Sequence, residues 1–206
     1  MGRLASRAGS RMKILCADGG ANTAHQLELQ PDAVVGDLDS VDPSLRQTWP
    51  GTRWIRVDAD DTGTDLQKVL DYAMDQHVKR AMLVGFTGGR TDHTLWNLSL
   101  LPAYSRNLDL CVIDDDCLMG LIQGCLSFRA PPGLRLSLCP LRGSVEGVTT
   151  SGLRWGLKDE ALIPGRRDGI SNEVVAPTVK ITVTGEEPLL MVLQREGAGA
   201  DLDLMV

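Results

Sequence analysis

No stretch of this sequence approaches the roughly 20 consecutive apolar residues that a membrane-spanning helix needs, so no membrane partner is expected. Positive charge is in short supply. Lys and Arg number 21 against 27 Asp and Glu, for a net charge of -6, which argues against nucleic acid as the main partner. Any phosphate bound here is expected to arrive with a metal ion. The five cysteines, Cys16, Cys111, Cys117, Cys125 and Cys139, form no C-x-x-C pair and no zinc-type spacing. They read as reduced core residues of a cytoplasmic protein. His25, His77 and His93 are too scattered for a metal set or a catalytic triad. The opening MGRLASRAGSRMK is basic but lacks the apolar core, about 7 to 15 residues long, of a signal peptide; it reads as a frayed or mis-called start. With 43% hydrophobic and 23% charged residues, collagenous, low-complexity and mainly disordered chains are excluded. A length of 206 residues suffices for one large domain or two small ones.

Short apolar runs alternate with helical patterns in the first half and end in Gly and Asp clusters, which predicts an α/β fold. The strand candidates are MKILCA (12–17), AVV (33–35), RWIRV (53–57), AMLVG (81–85) and LDLCVI (108–113). In DLQKVLDYAMDQ, Leu66, Val69, Leu70 and Ala73 recur at helical spacing and predict one apolar helix face. A further helix is expected from His93 to Leu101, with Leu95 and Leu98 inward and Pro102 ending it. After Asp116 the period changes to two. Leu134, Leu136 and Leu138 share one face, as do Val179, Ile181 and Val183. The reading is therefore an α/β domain with a mostly parallel sheet over 1–116, followed by a small β-sandwich over 117–206.

Five polar clusters follow the strands of the α/β part: ADGGANTA, GDLDS, DADDTGTD, TGGRTDH and DDD. In one parallel sheet these loops converge on a common crevice, the default ligand site. GDLDS sets Asp37 and Asp39 on the same side of an extended segment, and closely packed hard oxygens call for a cation such as magnesium; an Asx-type turn explains the same spacing. Asp65, taken alone, is better explained as an acid in the first turn of a helix, where the dipole favours it. Gly88 and Gly89 let backbone N–H groups approach a phosphate, and the planar fork of Arg90 matches phosphate oxygens. Asp92 and Asp18 have a rival role as helix caps, and Gly19 and Gly20 as turn residues. In the β part, Trp155 is open to a core role, and Ser171 with Asn172 to a turn.

The ordered set DGGAN, PDAVVGDLDS, TDLQK, GGRTDH, LRW and SN resembles the thiamin pyrophosphokinase family, from about Ala17 to Asn172. The resemblance implies transfer of a pyrophosphoryl group from ATP to the hydroxyethyl oxygen of thiamin, giving thiamin diphosphate and AMP. It further implies a Rossmann-like α/β nucleotide-binding domain, a β-sandwich domain, and a homodimer with active sites between subunits. Carried over by position, Asp37, Asp39 and Asp65 would bind Mg2+, with Asp92 as a further catalytic carboxylate near metal or thiamin. Asp18, Gly88, Gly89 and Arg90 would surround the nucleotide. Trp155 looks like the aromatic platform for thiamin, with Ser171 and Asn172 near the same ligand. Two features depart from the family pattern: only 16 residues precede Ala17, where relatives usually carry a further strand and helix, and Asp60, Asp61 and Thr62 align only to within one residue.

Two rivals come from other classes. VVGDLDSV is similar to the D-x-D segment of haloacid-dehalogenase-type phosphatases, which would make Asp37 a nucleophile, but that match leaves GGRTDH and LRW unexplained. A non-catalytic nucleotide- or thiamin-binding module would not need all four carboxylates.

Overall fold

A computed structural model describes residues 12–58 and 63–195. The basic N-terminal segment through Arg11, residues 60–62 of the ambiguous acidic stretch and the tail GAGADLDLMV lie outside the described residues. The chain divides between Val78 and Lys79 into two units.

In the first unit, β1 (Leu15–Ala17), β2 (Ala33–Gly36) and β3 (Arg53–Arg56) form a parallel sheet in the order β1-β2-β3. All of the central strand β2 is buried, as expected of a parallel strand covered on both faces. The helices are α1 (Gly20–Gln26), α2 (Leu45–Thr48) and α3 (Asp65–Asp75). The predicted helix over TDLQK is α3: the Thr64 side chain caps it by accepting from Gln67 N–H, and Val69, Leu70 and Ala73 face inward. Cys16, Ala21, Ala24, Val34, Val41, Leu45 and Trp49 make up a small core under α1 and α2.

The second unit begins with β4 (Arg80–Val84), α4 (Thr91–Tyr104), β5 (Asp109–Ile113) and β6 (Cys117–Ile122). It continues through β7 (Gly124–Arg129), β8 (Arg135–Pro140), β9 (Val145–Ser151), β10 (Glu160–Leu162), β11 (Gly169–Glu173), β12 (Thr178–Val183) and β13 (Leu189–Gln194). A four-stranded sheet runs β10-β9-β12-β7 and a six-stranded one β11-β8-β13-β6-β5-β4. The period-two residues did their expected work. Leu136 and Leu138 of β8, Val179, Ile181 and Val183 of β12, and Leu189, Met191 and Leu193 of β13 share one core between the sheets. Each such side chain contributes about 1.5 to 3 kcal/mol when fully buried.

Three expectations need correction. The five parallel-strand candidates do not share one sheet: β4 and β5 pair parallel with each other inside the six-stranded sheet. At the DDD cluster Asp114 N–H donates to the Cys117 carbonyl at 2.9 Å, and the chain turns from β5 back into antiparallel β6, which joins this pair to the sandwich strands. Loops after β1, β2 and β3 thus share one sheet edge, and those after β4 and β5 another. Second, Pro102 does not end its helix. α4 continues to Tyr104 with Leu100, Leu101, Pro102 and Tyr104 buried, and that burial offsets the missing N–H, which costs about 3 kcal/mol in a helix interior. Leu95, expected inward, is 64% exposed, because the buried face begins only at Leu100. Third, Cys16 is buried and Cys111, Cys117 and Cys139 are half-buried, but Cys125 is exposed on β7.

Candidate active site

Asp18 follows directly on β1 and GDLDS on the end of β2, so adjacent parallel strands deliver three carboxylates to one sheet edge. Ligand oxygens of Asp18, Asp37 and Asp39 all lie within 4.8 Å of one another. The backbone is built to bring them together. A Cβ at Gly36 would stand 2.8 Å from the Cβ of Asp18, so the glycine permits the approach. Asp18 (φ 34°) and Leu38 (φ 65°) both hold positive φ without being glycine, a strain that persists only where surrounding contacts over-determine it. Asp39 N–H donates to Asp37 Oδ1 at 3.3 Å, and the Ser40 hydroxyl donates to Asp39 Oδ1 at 2.8 Å.

Asp18 is only 4% exposed, and its Oδ1 has no hydrogen-bond partner among the described residues. Burial pushes its pKa up, Ser40 and the Gly19 N–H pull the other way, and the charges of Asp65 and Asp37 push it further up. Two carboxylates about 4 Å apart repel by about 4 kcal/mol at an effective dielectric of about 20. A compact set of hard oxygens with an unsatisfied buried member fits a divalent cation of the magnesium type.

The expected metal set was Asp37, Asp39 and Asp65, with Asp18 beside the nucleotide. The geometry groups Asp18 with Asp37 and Asp39. Asp65 opens α3, which packs against β1 and β2; its charge reaches Asp18, while its Oδ1 pairs with Lys68 Nζ at 3.2 Å. The Lys68 side chain is just 7% exposed, an uncommon location for an ammonium group, and sequence reasoning passed over it. Asn22 of DGGAN was also missed: its side-chain amide bonds the backbone of Ser40 and Asp42.

In the second unit, TGGRTDH links β4 to α4. Gly88 (φ 86°) and Gly89 (φ 66°) take a left-handed backbone that glycine adopts without strain. The Thr87 hydroxyl donates to the Asp114 carboxylate at the end of β5, and Asn97 Nδ2 donates to the Phe86 carbonyl at 3.2 Å; both bonds anchor the start of the loop. Arg90, not Asp92, occupies the cap position of α4. Asp92 instead receives Arg90 Nε at 3.1 Å and Nη2 at 2.5 Å. This fork holds the Asp92 carboxyl down to about 2. Two of the five guanidinium donors are used on Asp92, which orients Arg90 and leaves the remaining donors for an oxyanion.

In the β-sandwich, Trp155 is 58% exposed, so the core role that a lone tryptophan suggests does not apply. Asn172 on β11 is 4% exposed and fixes it: Trp155 N–H donates to Asn172 Oδ1 at 3.1 Å, and Asn172 Nδ2 donates to the Trp155 carbonyl at 2.8 Å. Ser171 (φ 58°) precedes it, its N–H donating to Ser137 Oγ at 3.0 Å. The Arg154 guanidinium carbon lies 5.8 Å from the centre of the Trp155 ring. Buried Asn172 thus ties down the backbone of exposed Trp155, with Ser171 next to it in the chain.

Two family descriptions match the chain: the thiamin pyrophosphokinase catalytic domain over residues 6–112 and the thiamin pyrophosphokinase vitamin B1 binding domain over 129–190. Among curated relatives, thiamine pyrophosphokinase 1 of Oryza sativa subsp. japonica is 27% identical, covering 84% of this chain and 75% of its own. Thiamine pyrophosphokinase 2 of Arabidopsis thaliana is 29% identical, covering 90% and 79%. Among solved structures, thiamine pyrophosphokinase from Bacillus subtilis superposes with a TM-score of 0.81 at 21% identity, covering 94% of this chain and 92% of that one. Thiamin pyrophosphokinase from Candida albicans gives 0.78 at 16%, covering 90% and 83%. These structures share the fold described above.

Proposed function

Since this chain belongs to the thiamin pyrophosphokinase family, we propose that it transfers a pyrophosphoryl group from ATP to the hydroxyethyl oxygen of thiamin, giving thiamin diphosphate and AMP. It is an enzyme, a thiamine diphosphokinase. One observation of the molecule carries the chemistry: the Asp18, Asp37 and Asp39 oxygens converge within 4.8 Å beside a strained backbone. Attack at the β-phosphorus demands an oxygen held in line and positive charge on the phosphate oxygens. Magnesium, held by Asp18, Asp37 and Asp39 with Asp65 close by, supplies that charge when bound. Gly88 and Gly89 give phosphate oxygens access to backbone N–H groups, and Arg90 offers the donors that Asp92 leaves over. Asp92 aims Arg90 and is the further carboxylate we assign to catalysis. Trp155 stacks on the flat rings of thiamin, with Asn172 and Ser171 shaping that platform.

The functional division falls near residue 116, nucleotide chemistry before it and thiamin recognition after it; the family descriptions ending at 112 and beginning at 129 support this. We infer a homodimer with active sites between subunits. Exposed Met82 and Val84 on edge strand β4 support a partner surface, and mixing inactive Asp37→Asn with inactive Trp155→Ala protein tests the shared site. Hybrid dimers should regain activity; none regained despite proven subunit exchange would place the site within one chain. Five free cysteines support a cytoplasmic setting. A D-x-D phosphatase and a non-catalytic module are not favoured, because the family matches extend through both halves of the chain. The direct test is to incubate the protein with ATP, magnesium and thiamin and resolve AMP from ADP. AMP formed only when thiamin is present is the expected result; ADP alone would overturn the assignment.

A further inference from the structure

We propose that Asn22 is a positioning residue of the acidic site, its side-chain amide holding the 38–42 loop so that Asp39 and Ser40 keep their oxygens beside Asp18. The inference rests on the reading of Asp18, Asp37 and Asp39 as cation ligands.

Asn22 sits on α1, half-buried. Its Nδ2 donates to the Ser40 carbonyl at 2.8 Å, and its Oδ1 accepts from Asp42 N–H at 3.0 Å. The two bonds bracket Val41, whose side chain is buried in the same core as Ala21 and Ala24 of α1. A primary amide presents N–H donors and a carbonyl acceptor side by side in one rigid plane, so Asn22 pairs with this loop as a neighbouring strand would. The loop needs holding. Leu38 keeps φ at 65°, and the carboxylates it carries repel one another. With Ser40 gripped at its carbonyl and Val41 buried, the Ser40 hydroxyl is directed onto Asp39 Oδ1. Asn22 touches no carboxylate of the cluster; it acts through the backbone. That explains physically why DGGAN and GDLDS occur together in one chain: the first supplies the clamp, the second the clamped loop.

The test is a manganese titration of the full-length protein, free Mn2+ being read by electron paramagnetic resonance, for wild type, Asn22→Ala, Asn22→Asp and Asp37→Asn. Groups that orient metal ligands typically change affinity by about 10- to 100-fold when removed, and a loss of that size is expected for Asn22→Ala in a protein whose circular dichroism matches wild type. Asn22→Asp separates positioning from charge. It keeps an acceptor for Asp42 N–H but sets an oxygen against the Ser40 carbonyl, while adding a negative charge near the cation. Positioning predicts weaker Mn2+ binding; simple electrostatics predicts tighter binding. In both variants, half-maximal activity should shift to higher metal concentration, with kcat largely recovered at saturation. Mn2+ affinity within twofold of wild type in Asn22→Ala, or tighter binding in Asn22→Asp, overturns the inference while Asp37→Asn still loses the metal. If Asp37→Asn binds Mn2+ as wild type does, the ligand reading itself fails and the inference falls with it.

Discussion

The acidic edge of the first unit and the Trp155 platform of the second are built on opposite terms. Around Asp18 a buried oxygen lacks a partner among the described residues, and like charges crowd together over a small core. Around Trp155 the buried amide of Asn172 is engaged on both sides, and β8, next to β11, helps form a broad sandwich core. The contrast fits the roles proposed for the two regions. A site for a small, highly charged ion holds its oxygens in an arrangement that is unfavourable until positive charge arrives, whereas a platform for a flat organic ring needs a rigid exposed surface and no stored repulsion.

Substitutions at the two regions should therefore separate activity from stability in different ways. The largest effect is expected at the acidic edge: Asp37→Asn and Asp39→Asn should each lower turnover by at least about a hundredfold, the usual scale for losing a preorganised electrostatic group. Without metal, their melting temperatures should equal or exceed that of wild type, because one repulsive charge is gone. Near-normal turnover at saturating magnesium would remove that residue from the site. Next comes Trp155→Ala. Lost stacking and apolar contact amount to about 2 to 3 kcal/mol, or roughly thirty- to a hundred-and-fifty-fold in thiamin affinity, with ATP affinity and melting temperature nearly unchanged. A large loss of stability would return Trp155 to the core and end the comparison.

Asn172→Ala should reverse that pattern. Removing a buried amide that serves both backbone groups of Trp155 costs about 1 to 3 kcal/mol of stability, visible in denaturant unfolding, while thiamin affinity falls less than in Trp155→Ala. An unchanged unfolding midpoint would contradict the satisfied-platform account. The smallest effect belongs to the exposed Arg90–Asp92 pair. The Asp92 pKa is depressed in the fold to about 2, chiefly by its hydrogen bond with Arg90. Its stabilising contribution is therefore present above the ordinary aspartate value and fades as pH falls from there through about 2. Carbon-detected NMR titration should show the Asp92 carboxyl returning toward its ordinary range in Arg90→Ala, and no movement would mean that the pair does not hold in solution.

Local patterns were legible in the sequence where one element determined the outcome. The face of α3, the alternation in β8 and β12, and the shared side of Asp37 and Asp39 all follow from spacing. What depends on distant neighbours was not. Asp18 joins the acidic cluster only because β1 and β2 lie side by side and Gly36 leaves room; the glycine before Asp37 was the available signal. The DDD cluster looked like one more ligand loop, yet it holds the turn that pairs β5 with antiparallel β6. Leu95 carries an apolar residue at a helical spacing that fits the inward face, yet burial of α4 starts a turn later. The backbone of Trp155 is held by Asn172, 17 positions away, and no periodicity encodes that.

The central claim is that the β-phosphorus of ATP is the atom attacked. The most direct measurement supplies ATP labelled with phosphorus-32 at the β position, together with magnesium and thiamin, and follows the label by thin-layer chromatography. The account predicts label in thiamin diphosphate, with unlabelled AMP forming in equal amount and both products appearing at least about a hundredfold more slowly with Asp37→Asn. Label retained in ADP while a thiamin monophosphate accumulates would show γ-phosphoryl transfer and contradict it.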